Sequence, residues 1–196
     1  MSRGPNKQFE PEVALNKAME VFWERGYEAA SLAQLLKHMG ISRKSMYDTF
    51  GNKQSLFLKA LEHYAQTELR GTRERLLASG SPLKNIEQLL DSWQQAHAQP
   101  DSKGCLLGTC TADFKNSDVE IAPVLRGYYS RLENIYYEAI ALAQQMGEIN
   151  PKADARDLAR MLLATTQGIA LMSRVLDSEA FPQSVVSMTI ESLKKA

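Results

Sequence analysis

Arg43, Lys44, Ser45, Tyr47 and Thr49 lie within the short stretch SRKSMYDTF, and their types suit a surface that meets nucleic acid. Guanidinium and ammonium groups neutralise phosphates, while hydroxyls and a phenol donate to phosphate oxygens or base edges. Met46 and Phe50 are four residues apart and so share one helical face, which turns the polar residues outward when those two pack inward. Asp48 is the acid among them; it could accept from a cytosine amino group or repel phosphate. Lys53 follows in the first turn of the next helix, where the macrodipole disfavours a cation, so an external anion is its expected partner.

These side chains need a rigid mount, and the preceding residues supply one. Leu32, Leu35, Leu36 and Met39 recur at i, i+3, i+4 and i+7, one apolar face of a short helix. Ser31 is its N-cap, with Gln34 placed to complete a capping box, and Ser31 also belongs to the set expected to touch DNA. Gly40 ends this helix, Ile41 can plug the turn, and Ser42 caps the second helix. The pattern is a helix-turn-helix. Upstream, Pro11 suits a first turn, and Ala14, Ala18, Val21 and Phe22 form a stripe that ends before Gly26 and braces the pair. The polar N-terminal residues MSRGPNKQ read as a frayed basic arm.

The run from Gly26 to Phe57 resembles the N-terminal signature of the TetR family of bacterial transcriptional repressors: Gly26-Tyr27, Ser31, Gly40-Ile41-Ser42, Tyr47, Phe50, Lys53 and Leu56-Phe57 stand in register. The chain departs from the common pattern at Ala30, Lys44 and Asp48, which bears on the DNA sequence read. The resemblance implies an all-α fold, with a DNA-binding domain over residues 1–51 and an effector-binding and dimerisation domain over 52–196. It implies a homodimer on a palindromic double-stranded operator, with a small-molecule effector that releases it.

Length and composition accord with that organisation. A chain of 196 residues, 44% hydrophobic, can bury a sizeable core. Lys plus Arg equal Asp plus Glu at 23 each, yet residues 1–64 carry nine bases against seven acids, a weak basic bias at the expected end. No stretch approaches the roughly 18 apolar residues of a membrane span, and no apolar signal core is present. A cytoplasmic protein is expected. No β alternation or internal repeat occurs.

Beyond the helix-turn-helix, a long helix is expected from Asn52 to about residue 77, burying Leu56, Phe57, Ala60, Leu61, Tyr64 and Ala65. Further helices are expected near 82–98, 117–146, 152–176 and 182–195, with a less regular element over Gly104 to Cys110. The last two helices are rich in apolar and small residues, and Leu162 and Ile169 are expected in the dimer contact that the resemblance implies. Trp93, Phe114, Tyr128, Tyr136 and Met172 are the aromatic or soft residues suited to an apolar effector, and each is equally explicable as core.

Cys105 and Cys110 are open to two readings. Free cysteine commonly packs as a small hydrophobe, but Lys103 and Gly104 give Cys105 a nearby cation and access, so an electrophile- or oxidant-sensing role through Cys105 is the alternative mechanism. The segment is similar to the GC-L-L stretch of a subset of TetR-like proteins. His38, His63 and His97 lack metal-site spacing, and no phosphate loop, Gly-x-Ser-x-Gly elbow or His-Glu-x-x-His occurs. No cofactor, metal or catalytic residue is therefore expected.

Overall fold

The computed structural model describes residues 9–99, 102–115, 117–176 and 178–195, which excludes the N-terminal arm MSRGPNKQ and Pro100-Asp101 of the predicted loop. The described residues form α1 (Pro11–Ala29), α2 (Leu32–Met39), α3 (Arg43–Phe50), α4 (Lys53–Leu76), α5 (Pro82–His97), α6 (Leu106–Asp113), α7 (Ile121–Gln145), α8 (Ala155–Met172) and α9 (Ala180–Lys195), with no strand among them. None of these helices is long and apolar enough to cross a membrane.

The residues through Tyr64 make one compact unit and those from Ala65 another, so α4 is shared between the two. In the first unit the stripe Ala14, Ala18, Val21 and Phe22 is buried as expected. Helicity in α1 breaks at Gly26, where φ 75° and ψ 172° turn the chain. An aromatic cluster fixes that corner. Phe22 and Tyr27 meet Phe57 of α4 with ring centroids 4.9 and 4.8 Å apart, and Trp23 meets Tyr64 edge-on at 5.0 Å. Such pairs add to the burial of large apolar surface.

In the second unit α7 packs along α8, α5 lies against α7, α8 and α9, and α6 rests on α8. The residues over Gly104 to Cys110 are more ordered than the sequence suggested. Cys105 caps α6, its sulfur accepting from the Gly108 N–H at 3.4 Å, and the Thr109 and Thr111 hydroxyls bond back to the Cys105 and Leu107 carbonyls. A thiol in the usual place of a serine or aspartate concealed this helix start. The α6–α8 contact is tight: a Cβ on Gly104, whose φ is +69°, would lie 2.5 Å from the Ala170 carbonyl oxygen.

Asn85 of α5 secures the end of α4, its amide donating to the Leu76 and Ala78 carbonyls at 3.3 and 2.9 Å. Carbonyls in the last turn of a helix and just beyond it lie past the reach of the intrahelical ladder, and here a side chain from another element takes them. Leu162 and Ile169, expected in a dimer contact, are each 1% exposed within the single chain. They belong to the stripe of α8 that includes Thr166, whose hydroxyl lies 3.2 Å from Tyr136 of α7. The monomer core claims them.

Candidate nucleic-acid interface and effector core

The turn between α2 and α3 is held by local bonds that sequence spacing anticipated. Ser31 accepts the Gln34 N–H at 3.3 Å while Gln34 Oε1 accepts from the Ser31 N–H at 3.0 Å, a complete capping box. Gly40 adopts φ 71° and ψ 30°, and its N–H closes on the Leu36 carbonyl. Ser42 Oγ accepts the Ser45 N–H at 3.0 Å. Each cap of this kind is worth about 1 kcal/mol, and together they fix the entry of α3.

With Met46 at 0% and Phe50 at 5% exposure, α3 is anchored along one side. Burying a side chain of that size contributes about 1.5–3 kcal/mol. The opposite side presents Arg43, Lys44, Tyr47 and Asp48, and Tyr47 keeps 47% of its surface exposed. Ser45 and Thr49 stand half-buried on its flanks, and the Ser45 hydroxyl lies 2.9 Å from that of Ser42 within the cap. Ser31 is exposed, but its hydroxyl also donates to Gln34 at 2.8 Å.

Two cations have partners within the protein that the sequence reading did not assign to them. Lys44 Nζ pairs with Asp48 at 2.6 Å, and hydrogen bonding to that carboxylate holds the ammonium above its ordinary pKa. Lys53 Nζ lies 4.5 Å above the Tyr27 ring and 3.5 Å from the Glu28 carbonyl, so the ring face and a peptide oxygen offset its place in the first turn of α4. The i, i+4 spacing of Lys44 and Asp48 was a readable signal.

The effector candidates divide in two. Cys105, Tyr128 and Tyr136 are buried, with Cys105 Sγ 4.0 Å from the Tyr128 hydroxyl. Burial pushes the Tyr136 phenol well up, offset by its bond to Thr166, with Cys105, Glu68 and Arg75 close enough to act on it. Trp93, Phe114 and Met172 are not part of that buried set: Trp93 is half-buried against His97 at 4.7 Å, Phe114 caps α6, and Met172 is 47% exposed.

Sequence reasoning missed Glu68 and Gln167. Glu68 follows Tyr64 by four and Leu61 by seven residues, so it sits on the buried stripe of α4, and burial holds its carboxyl above the usual range despite Arg75. An acid on an apolar stripe was the signal. Both polar atoms of the Gln167 amide are buried with no hydrogen-bond partner among the described residues, and its Oε1 would lie 2.9 Å from a Cβ on Gly108.

The two thiols differ sharply. Desolvation pushes the Cys110 thiol up to about 12, with Asp113 adding to the effect, while Cys105 Sγ already accepts a backbone N–H at a helix start. Among the described residues neither cysteine is joined in a disulfide. The three histidines are each engaged, His38 with Glu20, His63 with Asn16 and His97 with Ser102. Among the described residues no group of His, Cys, Asp and Glu is placed to hold a metal.

Comparison with known proteins matches both units. Residues 14–60 fit the family described as bacterial regulatory proteins, tetR family, and residues 82–188 fit the tetracyclin repressor-like, C-terminal domain. The chain is 34% identical over 174 residues to the HTH-type transcriptional regulator YezE of Bacillus subtilis (strain 168), spanning 88% of this chain and 90% of that protein. It is 31% identical over 179 residues to the HTH-type transcriptional repressor ComR of Escherichia coli (strain K12), spanning 88% and 83%. Among solved structures, a cysteine mutant of the TetR family transcriptional regulator CifR complexed with 26 bp double-strand operator DNA superposes with a TM-score of 0.84, 26% identity and coverage of 96% and 99%.

Proposed function

The chain belongs to the TetR family of helix-turn-helix transcriptional regulators, and from that premise we propose that it is a cytoplasmic repressor that binds a palindromic operator as a homodimer and is released by a small-molecule inducer. One observation carries the reading: α3 is anchored by Met46 and Phe50 while Arg43, Lys44 and Tyr47 face solvent together. A generic surface helix needs no such rigid mount, whereas base readout needs a short helix held at a fixed depth. The operator complex of the similar CifR supports double-stranded DNA as the partner. Ser31, Ser42, Ser45, Thr49 and Lys53 complete the proposed contact set as backbone-positioning groups.

Two-fold symmetry follows from a palindromic site. Leu171, Met172, Val175, Leu176 and Met188 are all at least 40% exposed, and this apolar surface at the end of α8 and on α9 supports association there. The inducer is assigned to the buried core around Tyr128, Tyr136 and Glu68. A ligand releases DNA when it binds the non-DNA arrangement more tightly, and the coupling equals that difference in affinity. No catalytic role is assigned to any residue.

A gel shift on the DNA flanking its own gene tests this. The expected result is a dimer-sized complex that survives competition by random duplex. A shift no stronger than that given by random duplex overturns it.

The geometry of Cys105 favours a second mechanism of release. Its sulfur takes the Gly108 N–H at the start of α6, the kind of contact that favours a thiolate nucleophile. Modification there would enlarge a side chain that is 2% exposed and disturb the α6–α8 contact. Oxidant or electrophile should then release operator from the wild type and not from Cys105→Ser; equal release in both removes Cys105 from the mechanism.

A further inference from the structure

The C-terminal half of α4 and the middle of α7 border an open groove of about 540 Å³. Its floor is apolar: Leu69 and Ile135 line it and are 7% and 6% exposed. Three guanidiniums, Arg70, Arg73 and Arg131, line it against two carboxylates, Glu74 and Glu138. Arg73 is neutralised across the helices by Glu138 at 2.7 Å. Arg131 Nε donates to the Gly127 carbonyl of its own helix, which leaves its other nitrogens available. Neither Arg70 nor Arg131 forms an ion pair with a described residue, although Glu74 follows Arg70 by four positions.

The charges therefore leave an excess of one cation above an apolar floor. That combination selects its occupant. An apolar body gains by leaving water against Leu69 and Ile135, and a carboxylate can take two parallel bonds from a planar guanidinium. An amine would meet the guanidiniums of Arg70 and Arg131 against the one carboxylate of Glu74, a net disfavour, and a neutral alcohol would forfeit the guanidinium contact.

We propose that this groove binds an amphipathic monocarboxylate, a fatty or arylalkanoic acid. The site is separate from the buried core, because Ile135 lines the groove while its neighbour Tyr136 bonds to Thr166 of α8. The ligand bridges Arg70 of α4 and Arg131 of α7, and so contacts the same helix that begins at Lys53.

Isothermal titration of the full chain with decanoate, below its micelle concentration and without DNA, tests the proposal independently of any operator. Saturable binding of one decanoate per chain is expected, with decanol and decylamine much weaker. Arg70→Gln and Arg131→Gln should each weaken decanoate by about tenfold, the loss of one charge-assisted contact, and the double variant should weaken it further. Tyr136→Phe should leave it unchanged. Binding that does not saturate, that is equal in the double variant, that decanol matches, or that Tyr136→Phe abolishes overturns the proposal.

Discussion

Replacing Asp48 with asparagine should tighten binding to duplex of arbitrary sequence. In the free protein the nearest anion to Lys44 is on its own helix, with Nζ 2.6 Å from Asp48 and side chains 84% and 60% exposed. Asparagine keeps the shape and removes the charge. The released ammonium can then neutralise about one further phosphate, which steepens the log–log salt dependence by about 0.9 for each reading helix engaged. Across a roughly fourfold change in salt, that increment corresponds to about a 3.5-fold change in affinity. Loss of the carboxylate's own repulsion of phosphate acts in the same direction, so a gain of about three- to tenfold at low salt is expected. Fluorescence anisotropy with a random-sequence duplex at several salt concentrations reads both quantities. Lys44→Ala introduced into the Asp48→Asn background should erase the gain, which separates the pair from a general charge effect. An Asp48→Asn variant with wild-type affinity and salt slope would refute the reasoning. A gain on random duplex together with a loss on operator would instead identify Asp48 as an acceptor from cytosine.

Gly104→Ala should destabilise the protein by about 2–4 kcal/mol, because it combines a left-handed backbone with a Cβ 2.5 Å from the Ala170 oxygen; denaturant unfolding measures it. Leu162→Ala should cost about 2–5 kcal/mol of protomer stability, whereas Met188→Glu, at a site 59% exposed, should keep the fold and yield monomers in sedimentation. Glu68→Gln should raise Tm at neutral pH, since burial holds the native carboxyl above its ordinary pKa and ionising it costs the folded state. Because the folded pKa exceeds the unfolded one, that cost is relieved as pH falls between them, so the advantage of the variant should vanish near the ordinary carboxylate value in a Tm–pH series.

The reading pair was legible because its signals are local. Capping boxes, a left-handed glycine and a four-residue apolar spacing act within one turn of the chain, so Ser31, Gly40, Ser42, Met46 and Phe50 could be placed from sequence. The stripe of α4 was legible for the same reason. Much of what escaped depends on contacts between distant segments. Lys53 finds the Tyr27 ring across 26 positions, and Tyr136 meets Thr166 across 30. Leu162 and Ile169 illustrate the limit: periodicity says that a face is buried, but not whether its own chain or a second copy covers it. Cys105 shows another, since a sulfur cap falls outside the usual set of oxygen caps.

The closure of α4 by Asn85 has a mechanical consequence. A helix of 24 residues is about 36 Å long, and its far end carries Lys53. With the Leu76 and Ala78 carbonyls held by a side chain of α5, the last turn of α4 is closed by another helix of its own unit rather than by water. Helix ends ordinarily fray first, and here unwinding that turn means breaking two bonds to α5, so the stability of the end of α4 is tied to the seating of α5.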